Sequence, residues 1–180
     1  MNLYPVPALA LVLLASGCRS LPGPADRARE EFRAGNLPGS YRILREEGAS
    51  IPREERSVLL LDLGAAFADG GDRIRAEWCC GEAARAGREA EGLWGIAWIS
   101  VRRGEGEATL AGIDRVIALP ACPPHIVAEA RLHRGAVLVS LGREEEGRRE
   151  WETLAAAGAS DPDPAVGALG REAERRLGGR

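Results

Sequence analysis

Apolar and small residues return along this chain at intervals of three and four, the period that lays them on one face of a helix. Leu61, Ala65 and Ala68 form one such set, Ile96, Ile99 and Ser100 a second, and Leu132, Ala136 and Val139 a third. Near the end, Val166, Leu169, Ala173 and Leu177 share a face while charges occupy the other, which predicts an amphipathic closing helix. The punctuation agrees: Pro52 at a helix start, Asp72 before "RIRAEW", Pro120 after an end, Pro123 and Pro124 before the next start, and "SDPDP" ahead of the last helix. One stretch departs from the pattern, because polar residues nearly vanish from Val6 to Gly17 in "VPALALVLLASG".

The helical segments are self-similar. "LLDLGAAFADGGDRIRAEWCCGEAARAG" lies under "ARLHRGAVLVSLGREEEGRREWETLAAAG", placing Gly64 on Gly135, Phe67 on Leu138, Gly71 on Gly142, Ala76 on Gly147 and Cys80 on Trp151. Between them, "LWGIAWISVRRGEGEATLAGIDRVIALP" puts Gly95 and Trp98 in the places of Gly64 and Phe67, with its turn glycine, Gly104, two residues late. Ahead of all three, "AREEFRAGNLPGSYRILREEG" has Phe32, Gly35 and Leu44 in comparable order. A mid-helix glycine lets a neighbouring helix approach closely, and the large residue one turn on fills the adjoining space. A second glycine ends the helix where the turn needs a left-handed residue. A small residue of the second helix, Ala76, Ala108 or Gly147, is then expected at the crossing, with Cys80 and Trp151 on the same seam.

These residues resemble the tetratricopeptide repeat, a helix-turn-helix unit of about 34 residues. The resemblance implies an all-α fold, a helix-turn-helix repeat array (TPR-like α-solenoid) over residues 25–178, with a C-terminal capping helix over the last apolar surface. It also implies a concave side lined by the first helices, where Leu61, Ala65, Ala68, Ile96, Ile99, Ser100, Leu132, Ala136 and Val139 form a rather apolar groove. Two readings of that groove stand open. It is a cradle for an apolar helix or extended segment of a partner, or irregular spacing closes the array and these side chains become core.

The apolar run of residues 6–17 is about a dozen residues, short of the roughly 20 that a spanning helix needs, and it fits the core of a signal peptide. Ala15, Ser16 and Gly17 then lead to Cys18. This resembles the lipobox of bacterial lipoproteins, which implies a cleaved leader over residues 1–17 and a palmitate-type acylated Cys18 as the mature N-terminus. Residues 18–24, running into "SLPGPADR", read as a short lipidated tether. Arg19 stands where an Asp retains such proteins on the inner membrane, so the expected address is the outer membrane, facing the periplasm. An ordinary N-terminal helix tucked into the core is the alternative.

Composition narrows the rest. With 180 residues, 45% apolar and only 4% aromatic, the chain has room for one core and the makeup of helices packed through small side chains. A formal charge of −3 excludes the concentrated basic surface that nucleic acid requires. All 24 basic residues are arginine and glutamine is absent, which reads as genome composition rather than guanidinium recognition. Besides Cys18, an oxidising periplasm offers a bridge from Cys79 or Cys80 to Cys122, while Cys80 reads equally as a buried free thiol. No metal site is expected, since no C-x-x-C exists and His125 and His133 lie eight apart, and no cofactor or small-molecule ligand is expected. In "GREEEGRREWE", Glu144 with Arg148 and Glu145 with Arg149 are set for four-residue ion pairs on a solvated helix.

The expectation is a lipid-anchored, non-enzymatic scaffold for protein partners in the cell envelope, of the kind that assists pilus or secretin assembly. An anchored envelope enzyme or accessory subunit is the other class. A polar pocket gathering carboxylates and His133 favours the enzyme, and an apolar groove favours the scaffold.

Overall fold

The computed structural model describes residues 21–179, and Cys18 with its leader lies outside them. The described residues are helical, with no strand among them. The helices are α1 (Pro24–Arg33), α2 (Leu37–Glu46), α3 (Arg53–Asp69), α4 (Arg73–Arg85), α5 (Glu89–Arg103), α6 (Gly106–Ile117), α7 (Pro124–Ser140), α8 (Glu144–Ser160) and α9 (Pro164–Gly178). Each packs mainly on its chain neighbour, and the odd-numbered helices also touch in sequence, α1 on α3, α3 on α5, α5 on α7 and α7 on α9. That is the expected array: four helix pairs with the odd helices as an inner row, closed by α9 as the capping helix. Among the described residues, no helix is long and apolar enough to cross a membrane.

Local chemistry sets the boundaries. Asp72 accepts from Arg75 N–H at 3.1 Å and Asp163 from Ala165 N–H at 2.8 Å, satisfying donors that a helix start leaves orphaned. Each turn inside a pair carries one glycine at left-handed φ, Gly35, Gly71, Gly104 and Gly142. The repeat glycines then allow close crossings. A Cβ on Gly135 would meet the Trp151 indole nitrogen at 2.4 Å, and one on Gly147 would meet the Gly135 carbonyl at 2.6 Å. In the equivalent earlier pair, Cys80 Sγ would lie 3.0 Å from a Cβ on Gly64 and 2.6 Å from one on Gly95. A single thiol therefore sits at the junction of α3, α4 and α5.

Two local expectations are corrected. Ala108 is exposed, and the α5–α6 crossing is made by buried Thr109 and by Gly112 opposite Ala97, because the late turn at Gly104 shifts the register of α6. The four-residue pairs Glu144–Arg148 and Glu145–Arg149 do not form. Arg143 instead binds Glu146 at 2.7 Å, and Glu150 turns inward to Arg131 at 3.0 Å and Arg134 at 2.8 Å. Further arginines tie one pair to the next: Arg29 to Glu55, Arg102 to Asp69, and Arg73 to Glu105 at 2.7 Å.

Apolar burial falls into three successive cores, the first from α1 to α4 with one face of α5, the second across α5, α6 and the start of α7, and the third from α7 to α9. Successive cores of this kind make stability a sum of neighbour interfaces. A methyl on Gly92 would approach the Cys80 carbonyl at 2.4 Å and the Ala84 nitrogen at 2.7 Å, whereas one on Gly81 meets nothing within 4 Å. Gly92→Ala is therefore expected to lose about 2 kcal/mol or more in urea unfolding, and Gly81→Ala to gain up to about 1 kcal/mol from helix propensity. Equal effects would mean that the α4–α5 approach is looser than described.

Candidate partner-binding cleft

The inner row opens into a cleft of about 300 Å³ that runs diagonally across three helices. It takes Leu61, Gly64, Ala65 and Ala68 from the second half of α3, Glu91, Trp94, Gly95, Trp98 and Ile99 from α5, and His125, Ile126 and Glu129 from the first turns of α7. Cys80 forms part of its floor. Small side chains on α3 and the missing side chain of Gly95 create the hollow, and the two tryptophans raise its wall.

Four of the groove residues expected from the sequence line this cleft: Leu61, Ala65, Ala68 and Ile99. The other five are placed elsewhere. Ile96 packs against the first core, and half-buried Ser100 helps hold the Glu105 carboxyl. Leu132, Ala136 and Val139 belong to the third core, where α9 covers α7. The capping helix thus fills the end of the concave face that the sequence left open. Trp94, Glu91, His125 and Glu129 were not foreseen as lining residues, although Trp94 and Trp98, one helical turn apart, carried a legible signal.

The electrostatics are uneven. Glu91 is held by Arg88 at 2.9 Å, whereas half-buried Glu129 forms no ion pair among the described residues. Burial pushes the Glu129 carboxyl above the usual carboxylate range, against the pull of a Trp94 hydrogen bond and of His125. His133 lies outside the cleft lining, its ring 4.7 Å from that of Trp98 and 5.7 Å from that of Trp94. Burial, and secondarily the Arg176 charge, hold it below the ordinary imidazole range. Burial also pushes the Cys80 thiol up to about 11 and the Cys79 thiol up to about 12, so both stay protonated at neutral pH.

Cys79, Cys80 and Cys122 are free. The expected bridge to Cys122 is not formed: Cys79 and Cys80 are buried in the first core, while Cys122 packs against the second. Among the described residues, no group of three or more His, Cys, Asp or Glu side chains is placed to hold a metal ion. A second hollow, between α1 and α3, is larger at about 590 Å³, but charged residues rim it and the Arg29–Glu55 pair closes on itself there. The smaller cleft combines apolar surface, aromatic walls and an unpaired carboxylate, an arrangement suited to binding a chain segment.

No protein-family model and no curated relative matches the sequence. Solved structures do match. One crystal structure of MamA aligns with a TM-score of 0.54 at 17% identity, covering 85% of this chain and 95% of that one. A second, also of MamA, aligns with a TM-score of 0.55 at 19% identity over 86% of each chain. These are TPR-like helical solenoids, and this chain has the same fold.

Two solution measurements follow. Iodoacetamide at mildly alkaline pH is expected to label Cys122 in the folded chain well before Cys79 and Cys80, which react only on unfolding; equal rates would contradict their burial. His133 takes a proton less readily folded than unfolded, so its share of stability is intact above the ordinary histidine value and is lost as pH falls below it. Glu129, shifted the other way, gains stability on acidification and opposes this trend. Urea midpoints between about pH 7.5 and 5.5 should therefore fall less in His133→Gln than in the parent chain.

Proposed function

We propose that the protein is a membrane-anchored scaffold that presents a TPR-like array to protein partners in the cell envelope. The observation that carries this reading is the cleft across α3, α5 and α7, whose surface is mostly apolar and open along the inner row. An extended or helical segment of a partner, laid across these helices, buries apolar side chains against Leu61, Ala65, Ala68 and Ile99.

The anchor in this proposal is Cys18, acylated after removal of residues 1–17. Each buried methylene contributes roughly 0.8 kcal/mol, so more than one acyl chain gives firm attachment. From Cys18 to the start of α1 at Pro24, a fully extended chain reaches at most about 20 Å. Such a tether keeps the array against the membrane face and raises its effective concentration toward membrane-bound partners without any new contact. With Arg19 after the anchor, the location that fits is the outer membrane facing the periplasm. Pilus, secretin or other envelope assembly is the kind of process such an arrangement serves.

Labelling cells with a palmitate analogue is expected to mark the parent chain and to leave Cys18→Ala unmarked and released from membranes. Unlabelled parent chain would remove the membrane from the proposal. Crosslinking in intact cells tests the cleft separately. Ala65 is exposed and lines it, so Ala65→Trp fills the hollow without disturbing a core residue and should abolish partner crosslinks while membrane attachment persists. Partners captured equally by both forms would mean that the cleft is not where they bind.

A further inference from the structure

We propose that the cleft receives a basic side chain, arginine or lysine, carried on an apolar segment of the protein partner, with Trp94 and Trp98 as its walls and Glu129 as its counter-charge. This rests on the scaffold reading of the same cleft and specifies what the partner must bring.

Most of this chain's other partly buried carboxylates are held by arginine. Glu82 is held by Arg56 at 2.7 Å, Glu105 by Arg73 at 2.7 Å, Glu150 by Arg131 and Arg134, and Glu55 by Arg29. Glu31, Asp161 and Asp163, half-buried acids that no arginine holds, accept instead from Asn36 and from backbone N–H groups beside them, whereas Glu129 has only the Trp94 indole and the neighbouring His125. Glu129 is half-buried, its surroundings disfavour its charge, and no arginine of the described residues reaches it. A partly buried carboxylate beside nothing more basic than an imidazole keeps part of its desolvation cost, and an incoming ammonium or guanidinium supplies the full counter-charge.

The tryptophans point to the same occupant. Trp94 and Trp98 stand one turn apart on α5 with ring centroids 6.1 Å apart, and both line the cleft. Elsewhere the chain fills such aromatic sites from within: Arg75 lies 5.6 Å from the Tyr41 ring and 5.5 Å from the Phe67 ring, and Arg176 lies 5.7 Å from that of Trp151. Among the described residues, no guanidinium lies over Trp94 or Trp98; His133 packs against both rings and Trp94 is buried, so half-buried Trp98 offers the surface that an incoming cation meets. Aromatic faces attract cations. The methylene stem of arginine or lysine suits the apolar surface of Leu61, Ala65 and Ile99, and His125 is the one basic group of the chain in the lining.

The test uses the full chain in lipid nanodiscs and fluorescein-labelled, capped pentapeptides with leucine flanks and arginine, norleucine or glutamate at the centre, read by anisotropy. The arginine peptide is expected to bind about ten-fold tighter than the norleucine peptide, with the glutamate peptide weakest. Glu129→Gln should erase the preference for arginine and leave norleucine binding unchanged; Ala65→Trp should weaken both. Equal binding of arginine and norleucine peptides, a preference that survives Glu129→Gln, or no binding at millimolar concentration overturns the proposal. If both peptides bind equally and Ala65→Trp still abolishes them, the cation is wrong and the scaffold cleft stands. If Ala65→Trp changes nothing, the cleft itself fails.

Discussion

The whole array depends on how closely neighbouring helices can approach where one side chain has been reduced to hydrogen. At Gly135 and Gly147 two backbones come near enough that the Trp151 indole lies across α7 and donates to the Leu132 carbonyl at 3.0 Å. In the earlier pair the equivalent seat is taken by Cys80, a far smaller residue, which serves Gly64 on one side and Gly95 on the other. Interiors pack without voids, so the volume at this one position helps set how each inner helix meets the next. A thiol lets α3, α4 and α5 converge on one point. An indole occupies the corresponding crossing at α7 and α8, and its outer face is covered by the Arg176 guanidinium from α9.

That difference in volume connects the packing to the cleft. Cys80 is at once a core residue, a contact of two glycines and part of the cleft floor. The hollow is therefore a consequence of the crossing. Small residues on α3 and the bare backbone of Gly95 leave space on the inner row, and the bulk deleted there reappears one position before it as Trp94 and three after it as Trp98. At the other end of the array the large residue at the equivalent position fills the seam, α9 covers α7, and the inner face closes. One repeat sequence thus yields two outcomes, an open surface in the middle of the molecule and a sealed one at its end.

The parts legible in the sequence were those encoded by local spacing. The register of Gly64 on Gly135, the turn glycines, the caps at Asp72 and Asp163, and the closing helix over residues 164–178 all follow from which residue types a helix end or a close crossing admits. The position of Ala108 failed because Gly104 arrives late and the register slips within one turn, a shift that periodicity alone does not reveal. The concave face was legible on α3 and displaced on α5 and α7. Which face points inward there depends on the rotation between successive pairs, a property of side-chain volumes at the crossings rather than of the repeat period. Glu129 was illegible for a different reason: nothing in a sequence rich in Glu and Arg marks which acid ends half-buried in a cleft with no arginine in reach.

The charges carry a related asymmetry. In a chain whose basic residues are all arginine, the planar guanidinium can bind two carboxylates, or one carboxylate and one ring, and the structure uses it so at Arg29, Arg73, Arg134 and Arg143 and at Arg75 and Arg176. Arg134 bridges Asp114 on α6 and Glu150 on α8, and Arg73 joins Glu77 to Glu105 across two pairs. Each such bridge fixes the rotation between neighbours more than it adds stability, because partly exposed ion pairs are worth little on their own. The fold is consequently positioned by pairs and stabilised by apolar contact. On the inner face, a half-buried acid without an arginine lies beside half-buried Trp98, whose ring is packed by His133 on one side and lines the cleft on another, and that conjunction of carboxylate, indole and hollow is what distinguishes a surface arranged for another molecule from one that is merely left over.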